Sequence, residues 1–174
     1  ISSQTENGLI IVHQQRAHQR ILYEYFKQNK NVKISSQKLL FPETISLSKK
    51  DVSEIEDIKT ELNNVGFEID IKEDCVEIHA VPQQCENENL QKLFDEILKE
   101  QEVENSDLKD KFSSKLCKTL SNSLSIKRGK KLTQEEMRLL IEELLKCDTP
   151  TTSPFGLNTY FNVKTEEINK EFNK

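Results

Sequence analysis

The sequence predicts an α+β fold in which an antiparallel sheet with helices forms one discontinuous unit and a helix–hairpin–helix segment is inserted in its middle. Three observations predict it. Leu9, Ile10, Ile11 and Val12 form a short β-branched run that passes directly into a stretch where Ala17, Ile21 and Tyr25 recur every fourth residue, with Leu22 and Phe26 alongside. A buried strand therefore leads into an amphipathic helix. Two strictly alternating segments, 67–71 and 76–81, are separated by a polar turn at 72–74 and read as a β-hairpin. Apolar faces of helical period flank that hairpin on both sides.

The elements follow in order. Ile1, Ser2, Ser3 and Gln4, followed by Glu6-Asn7-Gly8, read as the end of a strand and a hairpin turn into the next. A partner strand is expected upstream, as in a piece of a longer protein. His13, Gln14, Gln15 and Arg16 sit where strand becomes helix, and a helix start exposes unpaired N–H groups. After a polar break at 28–33, residues 37–47 have strand character, and Pro42 restricts them to an edge or a bulge. Ser48 and Asp51 resemble a capping box, and Val52, Ile55, Ile58, Leu62 and Val65 predict one continuous helix closed by Gly66. The hairpin ends at Pro82. Leu90, Leu93, Phe94, Ile97 and Leu98 mark the next helix.

A longer helix is expected from Asn105 or Ser106, with Leu108, Phe112, Leu116 and Leu120 on one face, reaching as far as Ile126 and ended by Gly129. Thr133 and Glu136 form a capping box ahead of Met137, Leu140, Ile141, Leu144 and Leu145. A loop at 148–158 carries Pro150, Pro154 and Gly156; a strand at 159–163 and a last helix capped by Thr165, with Ile168 and Phe172, follow. The boundaries expected are 1–48 with 106–174 for the discontinuous unit, and 49–105 for the insertion.

Composition narrows the function. The chain has 174 residues, 32% of them charged and 34% hydrophobic, but the apolar ones are periodic, unlike those of a disordered chain. A net charge of −5 gives no global basic field, so any nucleic-acid contact must be local. There is no membrane-length apolar run and no signal peptide, so a cytoplasmic location is expected and no membrane partner. Cys75, Cys85, Cys117 and Cys147 lack zinc-type spacing and read as free thiols in a reducing compartment. The four glycines are isolated, so no phosphate loop is present.

The strand-to-helix stretch resembles the signature of the C-terminal domain of the MutL DNA mismatch-repair family, where the junction reads Asp-Gln-His-Ala-x-x-Glu-x-x-x-x-Glu. Here the Asp position is His13, the Gln is Gln14, the His is Gln15, the Ala is Arg16, the first Glu is Gln19 and the second is Glu24. The phrases GFEI (66–69), VEIHAVP (76–82) and KLTQEEMRLLIEELL (131–145) stand in the expected order, so the likeness covers nearly the whole chain. It implies a dimerisation subdomain, 1–48 and 106–174, with an external, regulatory subdomain inserted at 49–105. For the interface of a homodimer the residues to name are Leu9, Ile10, Ile11 and Val12, with Tyr160 and Val163.

In nuclease-type members the resemblance implies a metal site built from three segments. The second is an Ala-Cys-Arg or Ala-Cys-His triplet, matched here by Ser121-Asn122-Ser123 ahead of Ser125-Ile-Lys-Arg-Gly129. The third is Cys-Pro-His-Gly, matched by Ser153-Pro154-Phe155-Gly156. The vestigial positions are thus His13, Gln15, Gln19, Glu24, Asn122, Ser153 and Phe155, and most of these are poor or useless ligands. A site stripped of thiolate and carboxylate charge does not hold a divalent ion well. No catalytic, cofactor-binding or metal residue is therefore expected in this domain, and no endonuclease activity. A residual site at His13, His18 and Glu24 is the competing reading, against His18 as a helix-surface residue and Glu24 as a solvated carboxylate.

Gln37-Lys38-Leu39-Leu40-Phe41-Pro42 resembles the Gln-x-Leu-Leu-Phe-Pro peptide by which replication proteins and some MutL C-terminal domains dock on the sliding clamp. Leu40 and Phe41 would fill an apolar pocket, Gln37 would fix the register, and Pro42 would lower the ordering cost. The competing reading is an edge strand whose Leu39 and Phe41 are core. The function the resemblance implies is to hold two chains together so that N-terminal ATPase domains outside this chain close around DNA. The mismatch-recognition protein MutS and the sliding clamp would be partners. The alternative is a metal-dependent DNA-nicking endonuclease with an altered ligand set.

Overall fold

The computed structural model describes residues 1–29, 34–85, 89–101 and 109–172. In chain order the elements are β1 (Ser2–Thr5), β2 (Gly8–Val12), α1 (Gln14–Gln28), β3 (Ser36–Ser46), α2 (Lys49–Asp57), α3 (Lys59–Asn64), β4 (Glu68–Ile71), β5 (Cys75–Pro82), α4 (Leu90–Gln101), α5 (Lys109–Ser123), α6 (Gln134–Lys146), β6 (Tyr160–Lys164) and α7 (Thr165–Phe172). This is a mixed α+β chain with two antiparallel sheets, β1-β2-β6 and β3-β5-β4. Backbone packing divides it into two units, 1–24 with 125–174, and 25–124. The second unit takes in β3 and α5 as well as the stretch 49–105.

In the first unit, β2 is the central strand, and each of its partners is antiparallel. Thr5 lies opposite Gly8 across a two-residue turn, and Gly8 in turn lies opposite Lys164. Only glycine suits that position. Its φ is +151°, and a Cβ there would stand 2.0 Å from the Val163 carbonyl oxygen. Strand alternation sends Val12 into a core with Ala17, Leu140 and Leu144, and Ile10, Ile21, Ile141 and Tyr160 pack against it. The Thr133–Glu136 capping box starts α6 as its sequence predicts.

In the second unit, β5 is central and its inward residues Val76, Ile78 and Ala80 are fully buried. Burial of each of the larger two contributes about 1.5–3 kcal/mol. Phe67 and Phe94 meet edge to face at 5.6 Å. The helix expected over Val52 to Val65 is interrupted. Ile58 (φ −109°) sends its N–H to Ile55, three residues back, and the ladder resumes with Leu62 bonding to Ile58. Ile55, Ile58 and Leu62 are all buried across the break, so the apolar pattern survives it.

The longer helix stops at Ser123 rather than reaching Ile126, and the Ile126 N–H bonds to the His18 side chain instead of a helical carbonyl. Its expected start, Asn105 or Ser106, lies outside the described residues, as does Leu108. Thr165 is the first residue of α7 rather than its cap; the Lys164 N–H ahead of it bonds to Glu167. Among the described residues, no helix is long and apolar enough to cross a membrane.

Candidate functional site

The buried face of α1 within the first unit grips the loop between α6 and β6. Glu24 is only 6% exposed. Its carboxylate accepts the Asp148 N–H at 2.7 Å, the Thr149 N–H at 3.2 Å and the Thr149 hydroxyl at 3.3 Å. Arg20, one turn earlier, approaches the same carboxylate at 3.4 Å and donates from Nε to the Thr152 carbonyl at 2.5 Å. Its guanidinium also lies over the Tyr23 ring, 5.5 Å from the centroid. A buried carboxylate with backbone donors and a guanidinium is a compensated charge. Glu24 is thus not a solvated helix carboxylate but the anchor of the loop.

The loop also holds itself. The buried Ser153 hydroxyl accepts the N–H groups of Phe155 and Leu157 at 3.3 and 3.2 Å. The fully buried Thr159 donates its hydroxyl to the Pro150 carbonyl. Gly156 takes φ +77°, a left-handed conformation that glycine adopts without strain. Cys147 lies beside this cluster; burial first, and then the Glu24 charge, push its thiol up to about 11, which leaves it protonated and unreactive.

His18 is not a helix-surface residue either. Its Nδ1 accepts the Ile126 N–H at 3.0 Å, which fixes a neutral ring with the proton on Nε2. Burial, with a smaller contribution from Lys130, brings its pKa down to about 4. His13 is exposed at the start of α1, with Nδ1 facing the Arg16 N–H at 3.4 Å. Its pKa is lowered, first by partial burial and then by the Arg16 charge.

These positions do not fit a divalent metal. Glu24 is surrounded by protein donors, the Ser153 hydroxyl serves its own turn, and the His18 Nδ1 is occupied by the Ile126 N–H. Phe155 is partly exposed and offers no donor atom. Gln19 is buried and Gln15 half-buried, both amides rather than anions. Asn122 is exposed and belongs to the other unit. Among the described residues, no three His, Cys, Asp or Glu side chains are grouped to hold a metal.

Two apolar surfaces among the described residues bear on the interface and docking expectations. On the β1-β2-β6 sheet, the register pairs Leu9 with Val163 and Ile11 with Phe161 on the face away from the core. Leu9, Ile11 and Val163 are half-buried and Phe161 is 53% exposed. The six residues expected at an interface are therefore split. Val12 is 2% exposed and committed to the chain's own core, with Ile10 and Tyr160 packed beside it. Phe161 was not among those six, and its pairing with Ile11 follows only from the register.

The second surface is on β3, an edge strand. Between Lys38 and Glu43 the ladder slips, β5 advancing only from Ala80 to Ile78 over the same span, so the intervening residues bulge. Leu40 is 96% and Phe41 83% exposed, so Phe41 is not a core residue; Gln37 and Pro42 are exposed too, and Leu39 is half-buried.

Comparison with known proteins agrees with this architecture. Residues 1–132 match the family model described as the MutL C terminal dimerisation domain. The chain is 34% identical over 181 residues to a DNA mismatch repair protein MutL of Flavobacterium johnsoniae, covering 99% of this chain and 27% of that protein. It is 31% identical over 169 residues to its counterpart in Flavobacterium psychrophilum, covering 96% and 28%. A MutL of Kosmotoga olearia is 29% identical over 174 residues, covering 100% and 28%. The chain thus spans little more than a quarter of the length of the relatives it matches. With a family match over most of its length, this chain belongs to the MutL C-terminal dimerisation domains.

Proposed function

We propose that this domain holds two copies of a mismatch-repair protein together through the outer face of the β1-β2-β6 sheet, and that it has no endonuclease activity of its own. The observation that carries the reading is the apolar outer face, where Leu9, Ile11, Phe161 and Val163 stand side by side, away from the core around Val12. A self-complementary patch of this kind suits an isologous pair. Phe161 is the aromatic anchor that such interfaces favour. In the whole protein, ATPase domains outside this chain would close around DNA in the cytoplasm, in concert with MutS.

The exposed bulge with Gln37, Leu39, Leu40, Phe41 and Pro42 is the docking segment for a sliding clamp. Its support is the projection of Leu40 and Phe41 into solvent from an edge strand. The nicking alternative is disfavoured because Glu24, the one family carboxylate retained, is engaged by backbone N–H groups and by Arg20.

Sedimentation equilibrium on the chain, with metal content measured by mass spectrometry on the same sample, tests the reading. The expected result is a metal-free dimer that Phe161→Glu converts to a folded monomer. A wild-type monomer would overturn the interface, and a stoichiometric metal that Glu24→Gln releases would overturn the absence of a nuclease.

A further inference from the structure

The last helix, α7, has eight residues and no buried side chain. Its apolar residues, Ile168 and Phe172, stand four positions apart and so share one face. Ile168 is half-buried and Phe172 is 83% exposed. The base of the helix is fixed. The Lys164 N–H bonds to the Glu167 carboxylate at 3.1 Å, and the Thr165 N–H bonds to the Asn7 carbonyl, in the β1–β2 turn, at 2.9 Å. α7 therefore leaves the sheet at the end where Leu9 pairs with Val163. Phe172 lies seven residues beyond Thr165, about 10 Å further along the helix axis. Among the described residues, neither Ile168 nor Phe172 joins the core around Val12.

The outer sheet face is too small to hold two chains by itself. A phenylalanine carries roughly 200 Å² of surface, so Phe161, 53% exposed, offers about 100 Å². Half-buried Leu9, Ile11 and Val163 each offer less. A stable pair buries roughly 800 Å² per partner, a little over half of it apolar. On the same footing Phe172 offers about 170 Å², more than any one residue of the sheet face. α7 is also the apolar surface continuous with that face, since Thr165 follows Val163 by two positions. The exposed leucines of α6, Leu139 and Leu145, belong to a helix whose Leu140 and Leu144 pack on the other side of the sheet, with Val12.

We propose that α7 is the second half of the pairing surface: Phe172 of one copy seats on the outer sheet face of the other, against the partner copy's equivalent of Ile11 and Phe161. This inference rests on the pairing through the β1-β2-β6 outer face put forward above. An isologous pair makes the contact twice, so each copy gives one aromatic anchor from its helix and receives one on its sheet. The two backbone bonds at the base of α7 set its direction before the partner arrives, which lowers the ordering cost of the contact.

The test is sedimentation equilibrium of the 174-residue chain over a range of concentrations. Phe172→Ala should raise the dimer dissociation constant at least tenfold, as loss of an aromatic anchor does. Phe172 is exposed within its own chain, so far-ultraviolet circular dichroism should show the variant folded. Phe155→Ala with Leu157→Ala, an equally exposed apolar pair on the 148–158 loop, should leave the constant within about twofold; equal loss there would reduce the effect to general stickiness and overturn the assignment. Cross-linking then reads the geometry. Phe161→Cys chains mixed with isotopically labelled Phe172→Cys chains under mild oxidation should give a disulfide joining one labelled and one unlabelled peptide. No such bond, or its formation only within a single doubly substituted chain, would mean that α7 does not reach the partner. The two readings fail separately. A dimer that Phe161→Glu dissociates and Phe172→Ala leaves intact sinks only this inference and frees α7 for another occupant, whereas a wild-type monomer sinks the dimerisation role.

Discussion

Replacing Glu24 by alanine removes an acceptor that four donors share. The two backbone bonds, at 2.7 and 3.2 Å, are to a charged group and are worth about 1.5–3 kcal/mol each. The hydroxyl and guanidinium approaches, at 3.3 and 3.4 Å, are long and add little. The substitution also leaves Arg20 charged and without its carboxylate, where its side chain is 11% exposed. Breaking a buried pair in this way costs about 3–5 kcal/mol. The two routes describe the same loss and agree on about 4 kcal/mol, a large share of the 5–15 kcal/mol typical of a domain. Urea unfolding of wild type and Glu24→Ala, monitored by circular dichroism, should show the midpoint falling by about 2 M for a slope near 2 kcal/mol/M. Wild-type stability should not change with a chelator. A loss under about 1 kcal/mol would mean that Glu24 is solvated after all. A chelator that reproduced the variant's loss would mean that a metal, rather than this hydrogen-bond set, holds the loop.

Other expectations follow from single residues. Gly8→Ala drives a Cβ to within 2.0 Å of the Val163 carbonyl oxygen, so β2 and β6 must separate; the melting temperature should drop by the equivalent of about 3 kcal/mol, and an unchanged melt would contradict the close approach. His18 has a folded pKa of about 4 against 6.5 in the unfolded chain, so the fold favours the neutral ring. Its contribution is complete above pH 6.5 and lost as the pH falls toward 4, about 3 kcal/mol across that window. His18→Asn should flatten that part of the wild-type stability profile, and parallel profiles would refute the burial. Leu40→Ala with Phe41→Ala removes apolar bulk from two side chains that are 96% and 83% exposed. Unfolding should move by less than about 0.5 kcal/mol while clamp binding by surface plasmon resonance is lost.

The fold was readable where period and punctuation coincide. Both hairpins, the capping boxes at Ser48 and Thr133 and the alternation through Val76 and Ile78 fix elements by local chemistry, and the structure has them. The break at Ile58 has no glycine or proline to mark it, and an apolar face of helical period reads the same across a local 3-10 bond. The end of α5 was illegible for a different reason. The Ile126 N–H, expected within that helix, bonds instead to His18, 108 positions away, and a long-range acceptor leaves no trace in periodicity. The candidate site divides along the same line. Spacing shows which ligand types are missing, but a glutamate on a helix looks the same whether it faces water or a loop. Arg20 four residues before Glu24 was the available signal, since a cation and an anion at that spacing share a helix face.

The turn at 153–156 is held by hydrogen bonds of its own. Metal coordination and backbone capping are alternative ways to fix one turn against one helix, since both satisfy polar groups that the loop would otherwise bury. In this chain the carboxylate of Glu24 and the hydroxyls of Ser153 and Thr159 meet those groups directly. Ser153 therefore suits the turn as it stands, its hydroxyl accepting the Phe155 and Leu157 N–H groups. Pro154 and Gly156 set the backbone path, Gly156 at φ +77°. A loop positioned this way also fixes Asn158, whose carbonyl holds Arg16 on the first turn of α1. Glu24→Ala should accordingly lower stability and leave pairing intact, whereas Phe161→Glu, on the opposite face of the sheet from the core around Val12, should abolish pairing and leave each separate chain folded.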